Sequence, residues 1–172
     1  MQLAVVVVAA LLAANRPGPP SAQPSLRFSD YPASRASTSR AKDIDLSDPF
    51  VRYYRTLLRS ALASGPDFAG HFRIVVIPGG TSIVSVVLLD TATGRVLAPA
   101  ALEAVFFPDP DSYALSERFG IENRRYSRLL VVRGLPAAVE SVGTYYFAFD
   151  GTDLQLVRGF RWRRHHPHSI AP

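Results

Sequence analysis

The stretch from Phe72 to Leu89 limits what this chain can fold into more than any other part of the sequence. Two apolar runs, FRIVVI and IVSVVLL, flank Pro78-Gly79-Gly80-Thr81-Ser82, and this pattern predicts a β-hairpin. The second run is apolar at nearly every position rather than at alternate ones. Since a strand of that kind is covered on both faces, we expect it to be a central strand of a sheet.

A helix is expected before the hairpin, from Asp48 to Gly65. Asp48 can accept hydrogen bonds from the first free N–H groups, Pro49 suits the first helical position, and Gly65-Pro66 ends the helix. Apolar residues at helical spacing form one face: Phe50, Tyr54, Leu57, Leu58, Ala61 and Leu62. The opposite face is expected to be solvated, with contact to phosphate or lipid headgroups as the alternative. Its cationic residues are Arg52, Arg55 and Arg59.

Further antiparallel strands are expected downstream, at Arg95–Leu97, Leu129–Arg133, Thr144–Phe149 and after the turn Asp150-Gly151-Thr152. Residues 98–125 contain three prolines and predict an irregular excursion over the sheet. The predicted fold class is therefore α+β, with one N-terminal helix packed on a mainly antiparallel sheet of five or six strands built from hairpins. A single domain is expected at residues 48–162.

Alternation in the last strand predicts that one of its faces is apolar except at Arg158. The residues of that face are Leu154, Leu156, Phe160 and Trp162. The residues expected to face the other way are Gln155, Val157, Arg161 and Arg163.

Composition and charge exclude several classes of function. The absence of cysteine excludes disulfides, thiolate nucleophiles, iron–sulfur clusters and cysteine zinc sites. Residues 48–157 hold ten arginines against eleven acidic residues, whereas residues 158–172 hold four arginines and no acid. A nucleic-acid-binding domain concentrates positive charge on its folded surface, so we expect no nucleic acid partner. No phosphate-binding glycine loop is present, and we expect no cofactor.

The amino terminus is expected to be a targeting segment. Leu3–Ala14 is an unbroken apolar run, shorter than the roughly 20 residues that span a membrane but typical of a secretory signal. Residues 1–22 are therefore predicted to be a signal peptide, with an uncleaved anchor as the alternative, and the protein is expected to be periplasmic or secreted. Membrane contact is expected to be transient and through this segment only. Residues 23–47, rich in proline and serine, predict a disordered linker, and residues 163–172 predict a basic, histidine-rich tail.

Several blocks of this sequence resemble those of a known group of proteins. Gly65–Phe72 reads GPDFAGHF and is similar to the GPNFAGHY block of a group of small exported bacterial proteins of unknown function. The later blocks LD, TGRV, SRLLVV, GTYY and DG follow in a similar order, so the resemblance covers residues 48–157. It implies an exported bacterial protein with one compact domain and carries over no catalytic residue. The cysteines of that group, in the glycine turn and before GTYY, are absent here, which implies that this chain has lost a cross-link or a thiol function.

His71 is a candidate catalytic residue. It lies between a glycine and a strand, with Asp67 four residues earlier and Asp90 across the hairpin. A carboxylate that orients a histidine makes it a usable general base, as in a small hydrolase. The alternative, which we favour, is a structural hydrogen-bonding role at the helix–strand junction, because no convincing nucleophile accompanies it.

The end of the chain is a candidate binding site because it interleaves charged and aromatic residues. Its members are Arg158, Phe160, Arg161, Trp162, Arg163 and Arg164. This pattern suits anionic polymers or an acidic membrane surface. The alternative is an edge strand whose outward charges prevent pairing with other strands. The neighbouring histidines, His165, His166 and His168, follow one another without fixed geometry, so no metal site is expected.

These observations favour an exported small globular protein of unknown biochemical activity that acts as a non-enzymatic binding or interaction module. Its expected partner is an unknown protein or an anionic component of the envelope. The alternative is a small hydrolase centred on His71 and Asp67.

Overall fold

The structure is a computed structural model that describes residues 26–34, 39–80, 82–107 and 120–162. Within these ranges the helices are α1 (Pro49–Tyr53) and α2 (Arg55–Ser64). The strands are β1 (Phe72–Gly80), β2 (Ile83–Asp90), β3 (Val96–Leu97), β4 (Val105–Phe106), β5 (Ile121–Asn123), β6 (Leu129–Pro136), β7 (Gly143–Phe149) and β8 (Leu154–Arg161). Short 3-10 turns lie at Phe28–Asp30 and Ala100–Leu102.

The strands form one antiparallel sheet in the order β1-β2-β4-β6-β7-β8, with β3 paired to β2 and β5 paired to β6. The sheet bends back on itself, because the rings of Phe72 in β1 and Phe149 in β7 lie 4.8 Å apart although these strands are not neighbours in the sheet. The prediction of a mainly antiparallel sheet with some helix is confirmed.

Strand β2 contributes to two separate hydrophobic cores. Val86 and Leu88 belong to the larger core, which lies between the two halves of the bent sheet. Val87 and Leu89 alternate with them and pack with Leu58 of α2 in a second core. The helices therefore cover one face of the first hairpin and the rest of the sheet covers the other, which confirms that this strand is buried on both faces.

The expected number of elements is wrong in two respects. The single predicted helix is divided at Tyr54, whose φ of −92° and ψ of 17° leave the helical region. Tyr54 still takes part in helical hydrogen bonding. Its N–H donates to the Phe50 carbonyl (3.1 Å), and its carbonyl accepts from the Leu58 N–H (3.0 Å). Two additional strands, β4 and β5, come from the stretch expected to be irregular and are too short to show periodicity.

Residues 39–47, expected to belong to a disordered linker, lie against the domain. Ile44 is 5% exposed and packs in the second core. The N–H of Ala41 donates to the Thr91 carbonyl and the N–H of Asp45 to the Gly94 carbonyl, both at 2.9 Å. These contacts join the segment to the turn that follows β2.

The arginine face of the helices holds the same segment. Arg59 donates to both carboxylate oxygens of Asp43, at 2.8 and 2.7 Å, and this pairing lowers the pKa of Asp43 to about 2. Arg52 donates to the carbonyls of Leu46 (2.8 Å) and Ser47 (2.9 Å). The arginine face is exposed as expected, and two of its members, Arg52 and Arg59, bind this segment.

Residues 26–34 also contact the sheet. Pro32 forms an isolated β-bridge with Ser127, whose hydroxyl donates to the Phe28 and Tyr31 carbonyls at 2.8 and 3.1 Å. The folded unit therefore includes residues before position 48. The predicted signal peptide, the rest of the predicted linker and the basic tail at 163–172 lie outside the described residues.

Candidate functional site

Asp67 does not orient the side chain of His71. Its Oδ1 accepts from the N–H of Ile74 at 2.9 Å, and its Oδ2 lies 3.8 Å from the guanidinium of Arg73. The Asp67 carboxylate therefore holds the loop after α2 against the start of β1. The predicted pairing of these two candidate catalytic residues is not formed.

The carboxylate nearest to His71 is Asp90, across the hairpin. His71 Nε2 lies 3.9 Å from Asp90 Oδ1, beyond hydrogen-bond distance. The carboxylate instead accepts from the N–H of Ala92 (2.8 Å) and from the hydroxyl of Thr93 (2.7 Å), so it is occupied by the turn that follows β2.

His71 itself has the contacts of a junction residue. Its carbonyl accepts from the N–H of Thr91 (2.9 Å) and from the hydroxyl of the same residue (2.6 Å), and its ring packs 4.4 Å from the ring of Phe72. A small pocket of about 180 Å³ lies beside Asp90, between β3 and the turn before β8, but His71 does not line it. Convergent polar groups around the imidazole, which a hydrolase needs, are not among these contacts.

A β-bulge at Val157 decides which way the candidate binding residues face. Before the bulge, Leu154 pairs with Phe149 and Leu156 with Phe147, so both lie on the core side of the sheet. After it, Arg158 pairs with Tyr146 instead of continuing the same register. Val157 is the extra residue, so the side chains after it point to the opposite face of the sheet from the one that strict alternation gives them.

The outer face of β7 and β8 therefore carries a different set of residues than strict alternation predicts. Phe160 pairs with Thr144, and its ring lies 5.9 Å from the ring of Tyr146 in an edge-to-face arrangement. Trp162 is 46% exposed and its Nε1–H donates to the hydroxyl of Thr144 at 3.1 Å. Together with Arg158 these side chains form what we call the aromatic face: Thr144, Tyr146, Arg158, Phe160 and Trp162.

Arg161 lies on the opposite side of β8. It pairs with Gly143 and lines a groove of about 470 Å³ between β8 and the loop at 138–141. Leu156, 46% exposed, lines the same groove, and the ring of Tyr145 forms its floor beneath Gly159. The structure thus places Phe160 and Trp162 on one face and Arg161 on the other, while the predicted Arg163 and Arg164 lie outside the described residues.

The turn before β8 fixes the position of the aromatic face and of the groove lined by Arg161. The carboxylate of Asp150 accepts from the N–H groups of Asp153 (2.9 Å) and Thr152 (2.8 Å). These hydrogen bonds, that from Asp153 first, lower the pKa of Asp150 below its usual value. Because the turn is closed in this way, Phe149 and Leu154 pair directly and the register up to the bulge follows from it.

Sequence reasoning missed the β7 members of these surfaces. Tyr145, Tyr146 and Thr144 were identified only as parts of a strand. Counting back from the turn at Asp150 would have assigned β7 partners to the first residues of β8. Gly159 is a second signal, since a glycine inside a strand often marks a bulge or a close approach; a Cβ there would lie 2.7 Å from the Tyr145 ring.

Other kinds of site find no support in the described part of the chain. In residues 26–34, 39–80, 82–107 and 120–162, no group of three histidine or acidic side chains is placed to hold a metal ion. No helix in those ranges has the length and apolar character needed to cross a membrane. Compared with known proteins, the chain matches no family model, no curated protein and no solved structure.

Proposed function

We propose that this protein is an exported, non-enzymatic binding module that binds an anionic partner through β8. The single observation that carries the proposal is the aromatic face, where Phe160 and Trp162 lie beside a cationic side chain on an exposed edge of the sheet. Guanidinium groups attract an anionic chain by charge, and adjacent aromatic rings pack against the apolar parts of the same chain.

The charge distribution supports the same proposal. The body of the domain is close to neutral, and its helix-face arginines Arg52 and Arg59 are hydrogen-bonded to residues 43–47. Arg158 and Arg161 lie on the two faces of one edge strand, within four residues of each other. Trp162, which follows this strand, is 46% exposed, so an arginine and an accessible aromatic ring lie together at this edge.

Export is the other part of the proposal. It is supported by the apolar run Leu3–Ala14 and by the resemblance to small exported bacterial proteins. Amino-terminal sequencing of the protein recovered from a bacterial periplasm or medium is expected to begin close to residue 23. Recovery of the intact amino terminus in the cytoplasm would contradict it.

A hydrolase centred on His71 and Asp67 is the rival proposal, and the geometry gives it less support. Asp67 is occupied by Ile74 and Arg73, and Asp90 by its own turn. We expect no turnover of ester, phosphate or glycoside substrates. Turnover that His71→Ala abolishes without loss of the fold would establish the rival.

Binding is tested with the full-length protein and two polyanions, poly-L-glutamate and dextran sulfate. Trp162 is the only tryptophan, so its fluorescence reports directly on the aromatic face. We expect a saturable change in emission, with an affinity that falls as salt is raised from about 0.01 M to about 0.15 M, a range over which the screening length shortens from about 30 to about 8 Å.

The variant Phe160→Ala and the variant Arg161→Gln are each expected to weaken binding. Arg55→Gln is the matched control, because Arg55 lies at the start of α2, away from β8, and donates to the Arg52 carbonyl of the preceding turn. Equal loss of affinity in the control, or no emission change with either polyanion, would contradict the proposal.

A further inference from the structure

Strand β8 lies at the end of the sheet. In the described part of the chain it pairs with β7 on one side only, and five of its eight residues are exposed: Gln155, Leu156, Val157, Gly159 and Arg161. An unpaired edge of this kind is a template for a further strand.

The register shows which backbone groups of β8 are available. The N–H of Trp162 donates to the Val142 carbonyl at 3.0 Å, so these two residues form a hydrogen-bonded pair. Hydrogen-bonded and non-hydrogen-bonded pairs alternate along an antiparallel ladder. Gly159 and Arg161 therefore occupy non-hydrogen-bonded positions, and their N–H and C=O groups point away from β7, towards the free edge.

A groove runs beside these two residues on the core side of β8. It measures about 470 Å³, and Leu156 and Tyr145 give it an apolar floor. Arg161 lines one side and Glu140 lies in the loop on the other. Gly159 adds no side chain, so a chain lying along the edge can approach closely at this point.

We infer that the free edge of β8 binds an acidic peptide segment in extended conformation, which adds a strand to the sheet. Alternate peptide side chains enter the groove next to Leu156, where a carboxylate pairs with Arg161, and the side chains between them lie on the opposite face of the added strand. This inference rests on the proposed function and specifies the partner as a polypeptide.

Charge and backbone geometry select this occupant over the others. A polysaccharide or a lipid surface could bind the arginines, but neither has the regularly spaced donors and acceptors that match the outward N–H and C=O groups of Gly159 and Arg161. A second copy of this chain, paired edge to edge, would bring two sets of arginines to one interface with no acidic residue of β8 to pair with them, which is unfavourable. An extended peptide satisfies the hydrogen bonds, and an acidic side chain placed next to Arg161, away from Glu140, satisfies the charge.

The test uses the full-length protein and an acetylated, amidated octapeptide in which glutamate alternates with valine. Binding is followed by Trp162 fluorescence, and hydrogen exchange reports on the amides of Gly159 and Arg161, which are expected to become protected. Two further peptides carry N-methyl groups on all valines or on all glutamates. One of the two methylation patterns removes the peptide N–H groups that face β8, and the other removes those that face away. Each net hydrogen bond corresponds to about fivefold in affinity. The loss of two such bonds therefore predicts roughly 30-fold weaker binding for the first pattern.

Two variants of Arg161 separate charge from backbone. Arg161→Ala removes the charge and keeps the N–H, and we expect about fivefold weaker binding. Arg161→Pro also removes the outward N–H, while the β7–β8 hydrogen bonds remain, so it should bind more weakly still. Circular dichroism confirms that each variant is folded, and the N-methylated peptides test the same point on the unmodified protein.

The outcomes distinguish this inference from the proposed function. Equal binding of all three peptides, with no protection of the two amides, would refute strand addition while leaving polyanion binding intact. Binding of dextran sulfate but not of the octapeptide would identify a polysaccharide partner and refute the inference. Absence of binding to every anionic probe would overturn both proposals.

Discussion

Replacing Gly94 by alanine tests whether residues 39–47 are an integral part of the domain. Gly94 has a φ of +81°, and its carbonyl accepts from the N–H of Asp45. A Cβ at this position would overlap the backbone carbonyl of Asp43. The segment that carries Asp43, Ile44 and Asp45 must therefore move away when the methyl group is added.

Gly65 supplies the matched control. Its φ of +77° is nearly the same, and no atom lies within 4 Å of the position that a Cβ would take. Its ψ of −179° makes the backbone conformation close to exclusive to glycine, so the control includes the full strain. Gly65→Ala is expected to lower the free energy of unfolding by about 1–3 kcal/mol from strain alone.

Gly94→Ala adds the loss of the segment's contacts to the strain of its own positive φ. Burial of Ile44, which is 5% exposed, contributes about 1.5–3 kcal/mol, and the hydrogen bond from Asp45 about 1 kcal/mol. We therefore expect Gly94→Ala to cost about 2–4 kcal/mol more than Gly65→Ala. Urea denaturation followed by far-UV circular dichroism measures both values. A difference below about 0.5 kcal/mol would refute the reasoning, since the segment would then contribute little to stability.

Two further predictions concern the same segment. The pKa of Asp43, about 2 in the folded protein, should rise towards its ordinary value of 3.8 in Arg59→Ala, as measured by carboxyl NMR titration. Because the pKa of Asp43 is lower in the folded protein than in the unfolded chain, this pair stabilises the protein above about pH 4, and its contribution is lost as the pH falls towards 2. An Asp43 pKa that does not change in Arg59→Ala would contradict the pairing. Arg40 donates to the carbonyls of Leu62 (3.1 Å) and Ala63 (2.7 Å) in the last turn of α2, so Arg40→Ala should lower the urea-derived free energy of unfolding by about 1–2 kcal/mol, with Arg40→Lys in between.

The sequence predicted the parts of the fold that carry long periodic patterns. The first hairpin and the helical stretch both have such patterns, and β2 was correctly expected to be buried on both faces. The packing of residues 39–47 was missed because much of it depends on backbone hydrogen bonds, such as those from Ala41 and Asp45. Hydrogen bonds of that kind leave no trace in composition, and one buried side chain, Ile44, is too weak a signal among prolines and serines.

The candidate site was predicted in its residue content but not in its geometry. Alternation placed Leu156 and Phe160 on one face of the last strand, and the bulge at Val157 separates them. A bulge changes the phase without changing the composition, so periodicity alone does not reveal it. The pairing of His71 with Asp67 was missed for a different reason, since closeness in sequence does not show which N–H group a carboxylate will accept from.

The bulge in β8 also determines which substitutions each part of the strand tolerates. Leu154, before it, fills a space bounded by other core side chains, and a change of volume there disturbs the whole domain. Phe160 and Trp162, after it, need only remain compatible with an extended backbone. Related chains could therefore diversify the final residues of this strand rapidly, and acquire different partners, while Leu154 stays nearly constant.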